Sequence, residues 1–201
     1  AGGRLAAQRV PAVSAADGGG TLQADGESAR FHRVVIAGGA WSNDLLRSFG
    51  AKVPLESLRG YHAVMRRAVQ MPRIAIRFAE ANIMVTPMAM GLRVGGTMEI
   101  AGLTAPPTLS RATALAKLGA RIFREVDPAD YTTWMGHRPA TPDSLPVIGP
   151  LRRQPEVICA FGHGPTGLTG GAMTGRLVAD HIAGRKPAVD QTPYLPARFG
   201  A

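Results

Sequence analysis

The stretch FGHGPTGLTGG, residues 161–171, decides how the carboxyl end of this chain folds. Its glycines Gly162, Gly164 and Gly167 follow the spacing G-x-G-x-x-G. An apolar run at residues 157–161 precedes them and a helix-like segment follows, so the sequence predicts a strand, a glycine turn and a helix. This spacing is typical of turns that bind a dinucleotide, which makes the ligand of the turn the first question.

The residues after the predicted helix exclude a dinucleotide-binding βαβ unit. Such a unit needs a second parallel strand with an acidic residue at its end, which holds the ribose. Here Asp180 lies within the helix, and Pro187, Pro193 and Pro196 follow it where a central strand would need backbone N–H groups. The stretch is therefore not the dinucleotide fingerprint, despite its spacing.

The glycines of the turn still require an explanation, because each glycine inside a helix costs about 1 kcal/mol relative to alanine. Gly170 and Gly171 extend the series into the first turns of the helix. One interpretation is that a negatively charged ligand atom approaches the unpaired N–H groups at the helix start. The other is that small residues let the helix cross a neighbouring element closely. The residues alone leave both open.

The composition sets limits on protein class and compartment. The chain has 201 residues, of which 45% are hydrophobic, enough for one full core that can divide into two lobes. It contains no apolar window of about 18 residues and no signal-peptide core, so a reducing cytoplasm is the expected compartment. The single cysteine, Cys159, lies in an apolar run and is predicted to be a buried structural thiol rather than a reactive one.

The charge balance raises the question of an anionic partner. The chain carries 23 Lys and Arg against 14 Asp and Glu, a net charge of +9. The basic residues are scattered and aromatic residues make up only 5%, so no nucleic-acid partner is predicted. Acidic lipid headgroups at the inner face of the cell membrane, or an acidic remainder of a larger assembly, stay open as partners.

Two strands are predicted near the amino end, at residues 21–25 and 31–39, with a turn around Asp25-Gly26 between them. The second strand is a nearly continuous apolar run, of the kind that is buried on both faces, and it ends at glycine. These residues therefore predict a strand that leads into a glycine turn.

A short helix is predicted after this turn, at residues 40–50. Its N-cap is Ser42 or Asn43, and Gly50 ends it. Its buried side consists of Leu45, Leu46 and Phe49.

The middle of the chain predicts an antiparallel sheet with one helix packed on it. Four short apolar or alternating segments are separated by Pro, Asn and Gly, at residues 60–65, 74–78, 82–88 and 92–100. An amphipathic helix follows at residues 110–126, with Leu115, Leu118, Ile122 and Phe123 on one face.

The carboxyl-terminal third predicts a rigid, proline-rich segment at residues 131–150. A buried strand follows at residues 157–161, then the last helix, which Gly184 ends. The tail from Arg185 is predicted to be irregular because it is rich in proline.

Arg138 lies in this proline-rich segment and is a candidate ligand-binding residue. Pro139, Pro142 and Pro146 restrict the backbone that follows it, so its side chain has a defined direction. A planar guanidinium held in this way suits a carboxylate. A solvated arginine paired with Asp143 is the open alternative.

Four motifs in order resemble the carboxyl-terminal half of the FAD-dependent D-amino acid oxidase superfamily: VVIAGGAWS, RGYH, WMGHRPATPDSLPVIGP and FGHGPTGLTGGAMTGRLVADHIAG. The similarity covers residues 21–199 and is strongest to the bacterial D-amino acid dehydrogenase and glycine oxidase branch. It implies an α/β (α+β) fold, with part of an FAD-binding Rossmann-like domain (residues 1–57 and 132–201) and an antiparallel-sheet substrate domain (residues 58–131). The amino-terminal βαβ nucleotide-binding unit of the family is expected to be missing.

The resemblance implies two contacts with FAD. The glycine turn at Ala37, Gly38, Gly39 and Trp41 would contact its pyrophosphate and adenosine part. The later loop and helix start would lie under the flavin ring, where backbone amides stabilise the negative charge of the reduced flavin. The residues of this second contact are Gly162, His163, Gly164, Pro165, Thr166, Gly167, Leu168 and Thr169.

The resemblance also implies a substrate site. Arg138 would bind the substrate carboxylate and orient the α-carbon hydrogen toward the flavin. Tyr61 and His62 would line the pocket by position, although ordinary sheet roles stay open for both. His163 is expected to brace the glycine turn rather than act as a base, and His137 to flank Arg138. No general base and no metal site are predicted, which suits hydride transfer from a neutral amine.

The implied activity is oxidation of the CH–NH2 group of a D-amino acid to an imino acid, which water hydrolyses to a 2-oxo acid and ammonia. The implied partners are a D-amino acid or related small amine and the missing amino-terminal half or a partner subunit. The resemblance favours a quinone or respiratory-chain electron acceptor at the membrane surface, with oxygen as the alternative. A non-catalytic fragment or accessory subunit that serves as an interaction module is the alternative function.

Overall fold

The computed structural model of the chain describes residues 2–16, 18–68, 71–123 and 126–201. Its internal contacts divide the chain into two units. Unit 1 comprises Ala1–Glu56 and Pro139–Ala201, and unit 2 comprises Ser57–Arg138. Unit 2 extends past residue 131 because the strand that begins there belongs to its sheet.

The described residues form strands and helices of ordinary length. The strands are β1 (Ala12–Ala16), β2 (Gly19–Ala24), β3 (Glu27–Phe31), β4 (Val34–Ile36), β5 (Glu56–Met65), β6 (Ile76–Phe78), β7 (Ile83–Met88), β8 (Gly91–Ile100), β9 (Tyr131–Ala140), β10 (Val147–Pro150) and β11 (Val157–Phe161). The α-helices are α1 (Ser42–Leu46), α2 (Ser110–Ile122) and α3 (Gly167–Ile182). Within the described ranges, none of these helices combines the length and the apolar character that crossing a bilayer requires.

A three-stranded antiparallel sheet, β1-β2-β3, opens unit 1. β2 and β3 meet at a two-residue turn in which Asp25 (φ 49°) and Gly26 (φ 84°) both have positive φ, as a type I′ hairpin requires. The predicted turn is therefore confirmed. The sequence does not predict β1, because its alanine-rich residues carry little strand preference.

The apolar run at residues 31–39 does not form one strand, so this prediction is wrong. β3 ends at Phe31, and β4 begins at Val34 in a different sheet. β4 is also buried on one face only, since Val34 and Ile36 are buried while Val35 is 40% exposed. Alternation along the strand places Val35 on the outer face.

The second sheet of unit 1 has the order β10-β11-β4. β11 is antiparallel to β10 and parallel to β4, with Cys159 opposite Ile36. β11 is buried as predicted, and Cys159 is fully buried within it. The core around this sheet contains Val13, Val34, Ile36, Leu46, Phe49, Val53, Val147, Leu151, Val157, Cys159 and Phe161.

The start of the short helix after β4 differs from the prediction. α1 begins at Ser42 and is preceded by Trp41, which provides no side-chain cap, so neither Ser42 nor Asn43 is the N-cap. Asn43 instead bonds the backbone of Val53 twice, accepting from its N–H at 3.0 Å and donating to its carbonyl at 2.8 Å. The amide side chain fixes the following loop rather than the helix start.

The end of this helix is as predicted. A 3-10 turn at Arg47–Phe49 extends α1, and Gly50 ends it in the left-handed conformation at φ 63°. Leu46 and Phe49 are buried, and Leu45 is half-buried against the same core.

The last helix is also confirmed. α3 follows a 3-10 turn at Gly164–Thr166, packs Leu177 against Ile158 of β11, and stops before Gly184 at φ 63°. The described tail beyond it contains two 3-10 turns and no strand, which agrees with the irregular tail predicted from its prolines.

The sheet of unit 2 has the order β6-β7-β8-β5-β9. The predicted antiparallel sheet is confirmed, since β5 pairs antiparallel with β8, β8 with β7, and β7 with β6. A β-bulge between Gly60 and His62 shifts the register of β5. α2 covers one face of the sheet, where Leu115 packs among Tyr61, Met65 and Val94.

α2 agrees with the predicted amphipathic helix over Ser110–Ile122, whereas Phe123 is extended and Val126 forms a β-bridge with Ala68. Leu115 is buried, and Leu118, Ile122 and Phe123 pack against the same core. α2 ends at Ile122, and the predicted helical positions 124 and 125 lie outside the described residues.

The rigid, proline-rich segment predicted at residues 131–150 consists mostly of strands. It forms β9 and β10 with a turn between them. β9 is an edge strand of its sheet, where the missing N–H group of Pro139 is tolerated.

Candidate functional site

One edge of the second sheet in unit 1 carries two glycine turns. β4 and β11 are parallel neighbours, so their carboxyl ends lie at the same edge. Gly38 and Gly39 follow β4, and Gly162 and Gly164 follow β11. Ligands of α/β sheets bind outside the carboxyl ends of the strands, so we define this edge as the glycine edge.

The first turn of the glycine edge is open on its outer side. Gly39 has φ 57°, and a β-carbon added there would meet no heavy atom within 4 Å. The N–H of Trp41 donates to the carbonyl of Gly38 at 3.1 Å, which closes the turn behind Ala37. Trp41 itself is 52% exposed. The predicted contact residues of this turn thus leave room for a ligand along the backbone.

Ser42, directly beneath this turn, has an unusual environment. The residue is fully buried, and its hydroxyl finds no hydrogen-bond partner among the described residues. Its Oγ lies 3.5 Å from the position of a β-carbon at Gly38. Buried hydroxyls are normally paired, so this orphaned group fits a turn that is completed by a polar ligand.

The second turn presents backbone amides. Gly162 (φ 82°) and Gly164 (φ 54°) turn the chain, and α3 then begins at Gly167 without a side-chain cap. The first N–H groups of a helix have no intrahelical acceptor, and the positive end of the helix dipole lies there. Leu168 in this first turn is 99% exposed. Pro165, Thr166 and Thr169 are exposed as well. The helix start can therefore accept a negatively charged ligand atom.

His163 braces this turn from inside. Thr174 Oγ1 donates to the carbonyl of Gly170 at 2.9 Å, so the contact of 2.8 Å between His163 Nε2 and this hydroxyl requires the imidazole to donate. Burial lowers the pKa of His163, which favours its neutral form. A β-carbon at Gly167 would lie 3.3 Å from Cβ of His163, and one at Gly170 would lie 3.5 Å from Cδ2. These two glycines make room for His163, while Gly164 and Gly171 face open space.

The sheet of unit 2 has a second candidate site on the face that α2 does not cover. Gly60 and His62 of β5 lie on this face, because Tyr61 between them belongs to the core under α2. The ring of Trp134 stacks on His62. Burial, and then the charges of Arg93 and Arg138, lower the pKa of His62, so both arginines lie near it as well. We call this surface, formed by Gly60, His62, Arg93, Trp134 and Arg138, the basic sheet face.

Arg138 lies flat over the backbone of β5. A β-carbon at Gly60 would collide with Cζ, Nη1 and Nη2 of its guanidinium, so glycine is what admits the side chain. Among the described residues, Arg138 makes no hydrogen bond or ion pair. The alternative partner, Asp143, instead binds Arg198 with an Oδ2–Nε distance of 2.7 Å, and this bond lowers the pKa of Asp143 to about 2. Asp143 thus has a cationic partner within its own unit.

His62 lies between an aromatic ring and two cations. Its imidazole stacks on Trp134 at a ring-centroid distance of 4.9 Å and an interplanar angle of 27°. Burial, and then the charges of Arg93 and Arg138, lower the pKa of His62. Its Nδ1 is buried without a partner in the described part of the chain. The imidazole is thus neutral near pH 7 and retains an unused hydrogen-bonding atom.

Two more glycines support this face. Trp134 folds over Gly136, where a β-carbon would collide with its ring. Arg93 lies over Gly95, where a β-carbon would be 3.4 Å from Nη1. Gly95 is opposite His62 in the ladder between β5 and β8.

Tyr61 does not lie on the basic sheet face. It is 1% exposed and packs under α2, and its hydroxyl donates to the carboxylate of Glu99. The N–H of Thr108 donates to the same hydroxyl at 3.0 Å. Alternation along β5 explains the difference, because neighbouring residues point to opposite faces. The structure therefore places Tyr61 apart from His62 and Arg138.

His137 likewise has a partner away from this face. Its Nδ1 lies 2.6 Å from Oγ of Ser57, and burial followed by the charge of Arg59 lowers its pKa. It is adjacent to Arg138 in sequence, but alternation along β9 separates the two side chains.

Sequence reasoning missed Arg93, Trp134 and the supporting glycines. A usable signal was present, since Arg93 and Trp134 each precede a glycine by two residues. In a strand, that spacing puts the large side chain and the glycine on one face. The signal could be used for Trp134 only after residues 131–140 were assigned to a strand.

Comparison with protein families gives one family match. The model described as FAD dependent oxidoreductase, DAO, matches residues 1–181. Among curated proteins, the chain is 41% identical over 170 residues to a D-amino-acid oxidase of Bradyrhizobium diazoefficiens, which covers 83% of this chain and 40% of that protein. It is 34% identical over 169 residues to a D-amino acid dehydrogenase of Sinorhizobium medicae, covering 83% of the chain and 40% of the relative.

A third relative is a glycine oxidase of Pseudomonas putida, 30% identical over 190 residues, with 94% of this chain and 49% of the relative covered. The chain thus spans between two fifths and one half of the length of these curated relatives.

Solved structures agree on the fold. Glycine oxidase from Geobacillus kaustophilus superposes with a TM-score of 0.82 at 23% identity, covering 95% of this chain and 52% of that chain. L-proline dehydrogenase from P. horikoshii gives a TM-score of 0.77 at 21% identity, covering 96% and 54%. The mixed α/β class with antiparallel sheets, predicted from the sequence, is confirmed. The chain belongs to the DAO family of FAD-dependent oxidoreductases.

Proposed function

We propose that this chain forms the flavin-contacting and substrate-binding portion of an FAD-dependent oxidoreductase that acts on D-amino acids. The observation that carries the proposal is Arg138, a guanidinium laid over Gly60 on an open sheet face without a counter-ion among the described residues. A planar guanidinium whose N–H donors are unpaired suits the carboxylate that every amino acid carries. When bound, FAD accepts the hydride that leaves the α-carbon.

The glycine edge supplies the chain's contribution to the FAD site. Its fit is supported by the orphaned hydroxyl of Ser42 and by the space outside Gly39 and Gly164. We assign Ala37, Gly38, Gly39 and Trp41 to the pyrophosphate and adenosine side. The segment at residues 162–169 is assigned to the flavin ring, where its uncapped helix start favours negative charge.

The basic sheet face supplies the substrate site. Arg138 holds the carboxylate with two N–H donors, and the Trp134 ring offers an apolar surface for the substrate side chain. The positive charges of Arg93 and Arg138 lower the pKa of a nearby ammonium as they lower that of His62. The substrate amine is therefore favoured in its neutral form, which can release a hydride directly.

The chemistry balances without a protein base. Loss of hydride from the α-carbon of the neutral amine leaves an iminium group conjugated to the carboxylate. Water then adds to the carbon, and the products are a 2-oxo acid and ammonium, which carries the positive charge of the iminium group. The residues of the basic sheet face bind and orient, and none of them needs to take a proton from carbon.

Preference for the D-enantiomer rests on the names of two relatives, a D-amino-acid oxidase and a D-amino acid dehydrogenase. Because the chain spans about half of such relatives or less, we propose that further polypeptide completes the FAD site. β4 is the edge strand where this polypeptide would pair, since among the described residues it pairs with β11 alone.

A role as an interaction module is the second candidate function. Leu168, Trp41 and Val35 expose large apolar surfaces in unit 1, and such surfaces suit a protein partner as well as a cofactor. In that case the chain keeps the fold of the family but does not catalyse the oxidation.

A visible absorption spectrum of the purified chain with added FAD separates the two functions. We expect a protein-bound flavin spectrum that bleaches after anaerobic addition of D-amino acids.

Arg138→Lys should raise the KM for a D-amino acid strongly because the bidentate fork is lost, whereas Arg121→Gln on the exposed side of α2 should not. An unchanged KM in Arg138→Lys would remove Arg138 from the substrate site. Reoxidation of the bleached flavin by oxygen or only by a quinone identifies the electron acceptor.

A further inference from the structure

The basic sheet face carries more positive charge than one carboxylate needs. Arg93 lies on β8 over Gly95, and Arg138 lies on β9 over Gly60. His62 stands between them on β5, directly opposite Gly95. Burial and then the charges of both arginines lower the pKa of His62, and burial and then the charge of Arg138 lower the pKa of Arg93. The two guanidinium groups are thus near neighbours of like charge.

Within the described ranges, no acidic group forms an ion pair with either arginine. Neither Arg93 nor Arg138 has a hydrogen bond there either. Two carboxylates of unit 2 are paired with other residues: Glu99 binds Arg59, Arg111 and Tyr61, and Asp130 binds Arg66 and Arg67. Two like charges held together, partly desolvated and uncompensated, destabilise the protein unless an anion binds them.

Glycine positions let the two arginines lie against the sheet. Gly60 leaves room for the guanidinium of Arg138 over the backbone of β5, and a side chain there would displace it. Arg93 is half-buried over Gly95, at ordinary van der Waals distance from where a β-carbon would lie. The two guanidinium groups therefore come from strands on either side of β5, and two anionic groups on one small molecule can engage both.

We infer that the site selects an amino acid with a second carboxylate, Arg138 holding the α-carboxylate and Arg93 the one in the side chain. The inference rests on the proposed function, because it assumes that Arg138 binds the α-carboxylate. Arg93 is then the specificity-determining residue, and amino dicarboxylic acids are the substrate class.

Calorimetric titration of the chain with D-aspartate and with D-asparagine tests the inference. The two ligands have nearly the same shape and differ by one negative charge. We expect D-aspartate to bind about tenfold more tightly, because a hydrogen bond to a charged group contributes that order of affinity. Arg93→Gln should bring the two ligands to equal affinity, whereas Arg138→Gln should weaken both. Arg93→Lys, which keeps the charge, should retain part of the preference, and Arg121→Gln should leave it unchanged.

The outcomes separate the two proposals. Equal affinity of the original chain for both ligands, with binding still lost in Arg138→Gln, overturns the second-carboxylate inference and leaves the proposed function standing. Binding that is independent of Arg138, or no saturable binding of either ligand, overturns both. Circular dichroism of each variant checks that it is folded, so that loss of affinity is assigned to the site.

Discussion

The two units use glycine in opposite ways. On the glycine edge of unit 1, Gly39, Gly162 and Gly164 have positive φ, and two of them face open space. On the basic sheet face of unit 2, Gly60 and Gly136 lie in extended strands and face large side chains that fill the space a β-carbon would need. The first group shapes the backbone, and the second makes room for a guanidinium and an indole.

Because of this difference, substitution of the two groups of glycines should have different effects on stability and on ligand binding. A side chain at a left-handed glycine strains the backbone whatever ligand is present, because the conformation itself is unfavourable for L-residues. A side chain at Gly60 meets the end of a flexible arginine, which can move aside at small cost. Substitutions in unit 1 should therefore change folding, and substitutions on the face of unit 2 should change what is bound.

Gly60→Ala should give the largest effect on binding. The new methyl group displaces the guanidinium of Arg138, so D-amino acid affinity should fall by about tenfold or more while the free energy of unfolding changes little. Calorimetric titration and urea denaturation measure the two quantities. Gly95→Ala is the matched control, since its β-carbon lies 3.4 Å from Arg93 and requires no displacement. Equal losses of affinity in both variants would contradict the specific role of Gly60.

Gly162→Ala should destabilise unit 1. Its φ of 82° is unfavourable for alanine by about 1–2 kcal/mol. The added methyl would also lie 3.2 Å from Cγ2 of Thr141. Urea denaturation should show this loss, whereas the control Gly175→Ala, inside α3 and facing open space, should stabilise the protein by about 0.5–1 kcal/mol. A stability loss in Gly175→Ala of the same size would show that the helix, not the turn, is sensitive.

The pKa of His62 should report the two arginines without any ligand. Removing either positive charge, in Arg93→Gln or Arg138→Gln, should raise this pKa because each charge opposes protonation of the imidazole. Titration of the imidazole protons by NMR measures the shift. Arg121→Gln, on the exposed side of α2, is the control variant and should leave the pKa of His62 unchanged. An unchanged His62 pKa in both variants would remove the arginines from its surroundings.

The same lowered pKa fixes the pH dependence of stability. Because folded His62 has a pKa below its ordinary value, the unfolded chain takes up the proton first as the pH falls. This group therefore favours unfolding below a pH of about 6.5. His62→Gln should weaken the decline in stability over that range, and urea denaturation at several pH values measures it.

The reactivity of cysteine and methionine side chains should show the smallest effect. It should distinguish the buried strand β11 of unit 1 from the exposed part of β8 in unit 2. Burial raises the pKa of Cys159 to about 12, so the native thiol should resist alkylation at pH 8 and react only after denaturation. Met98 is 59% exposed in β8 and should be oxidised by peroxide in the native protein. Peptide mass spectrometry measures both. Rapid alkylation of native Cys159 would show that the sheet around β11 opens.

Local patterns predicted much of the fold. The Asp25-Gly26 turn, the ends of the helices at Gly50 and Gly184, and four of the five strands in the sheet of unit 2 were accessible because each depends on neighbouring residues. The run at residues 31–39 was assigned to one strand because hydrophobicity does not show that its two ends join different sheets.

The residues of the candidate site were predicted only in part. Arg138 and His62 lie on one face, whereas Tyr61 was included only because it is next to His62 in sequence. The position of a residue along a strand does not show which face of the sheet its side chain lies on. Position alone therefore does not separate Tyr61 from His62. Arg93 comes from a strand about thirty residues away from His62 along the chain, and only the ladder between β5 and β8 brings them together.

The sequence by itself determined the glycine turn after β11, the helix that follows it and the family to which both belong, because short motifs of fixed spacing carry that information. Only the tertiary structure decided which glycines face a ligand and which face His163, and which strand residues share a face with Arg138. The physical reason is that backbone conformation depends on adjacent residues. The packing of a side chain against a glycine depends on residues that are distant in the chain.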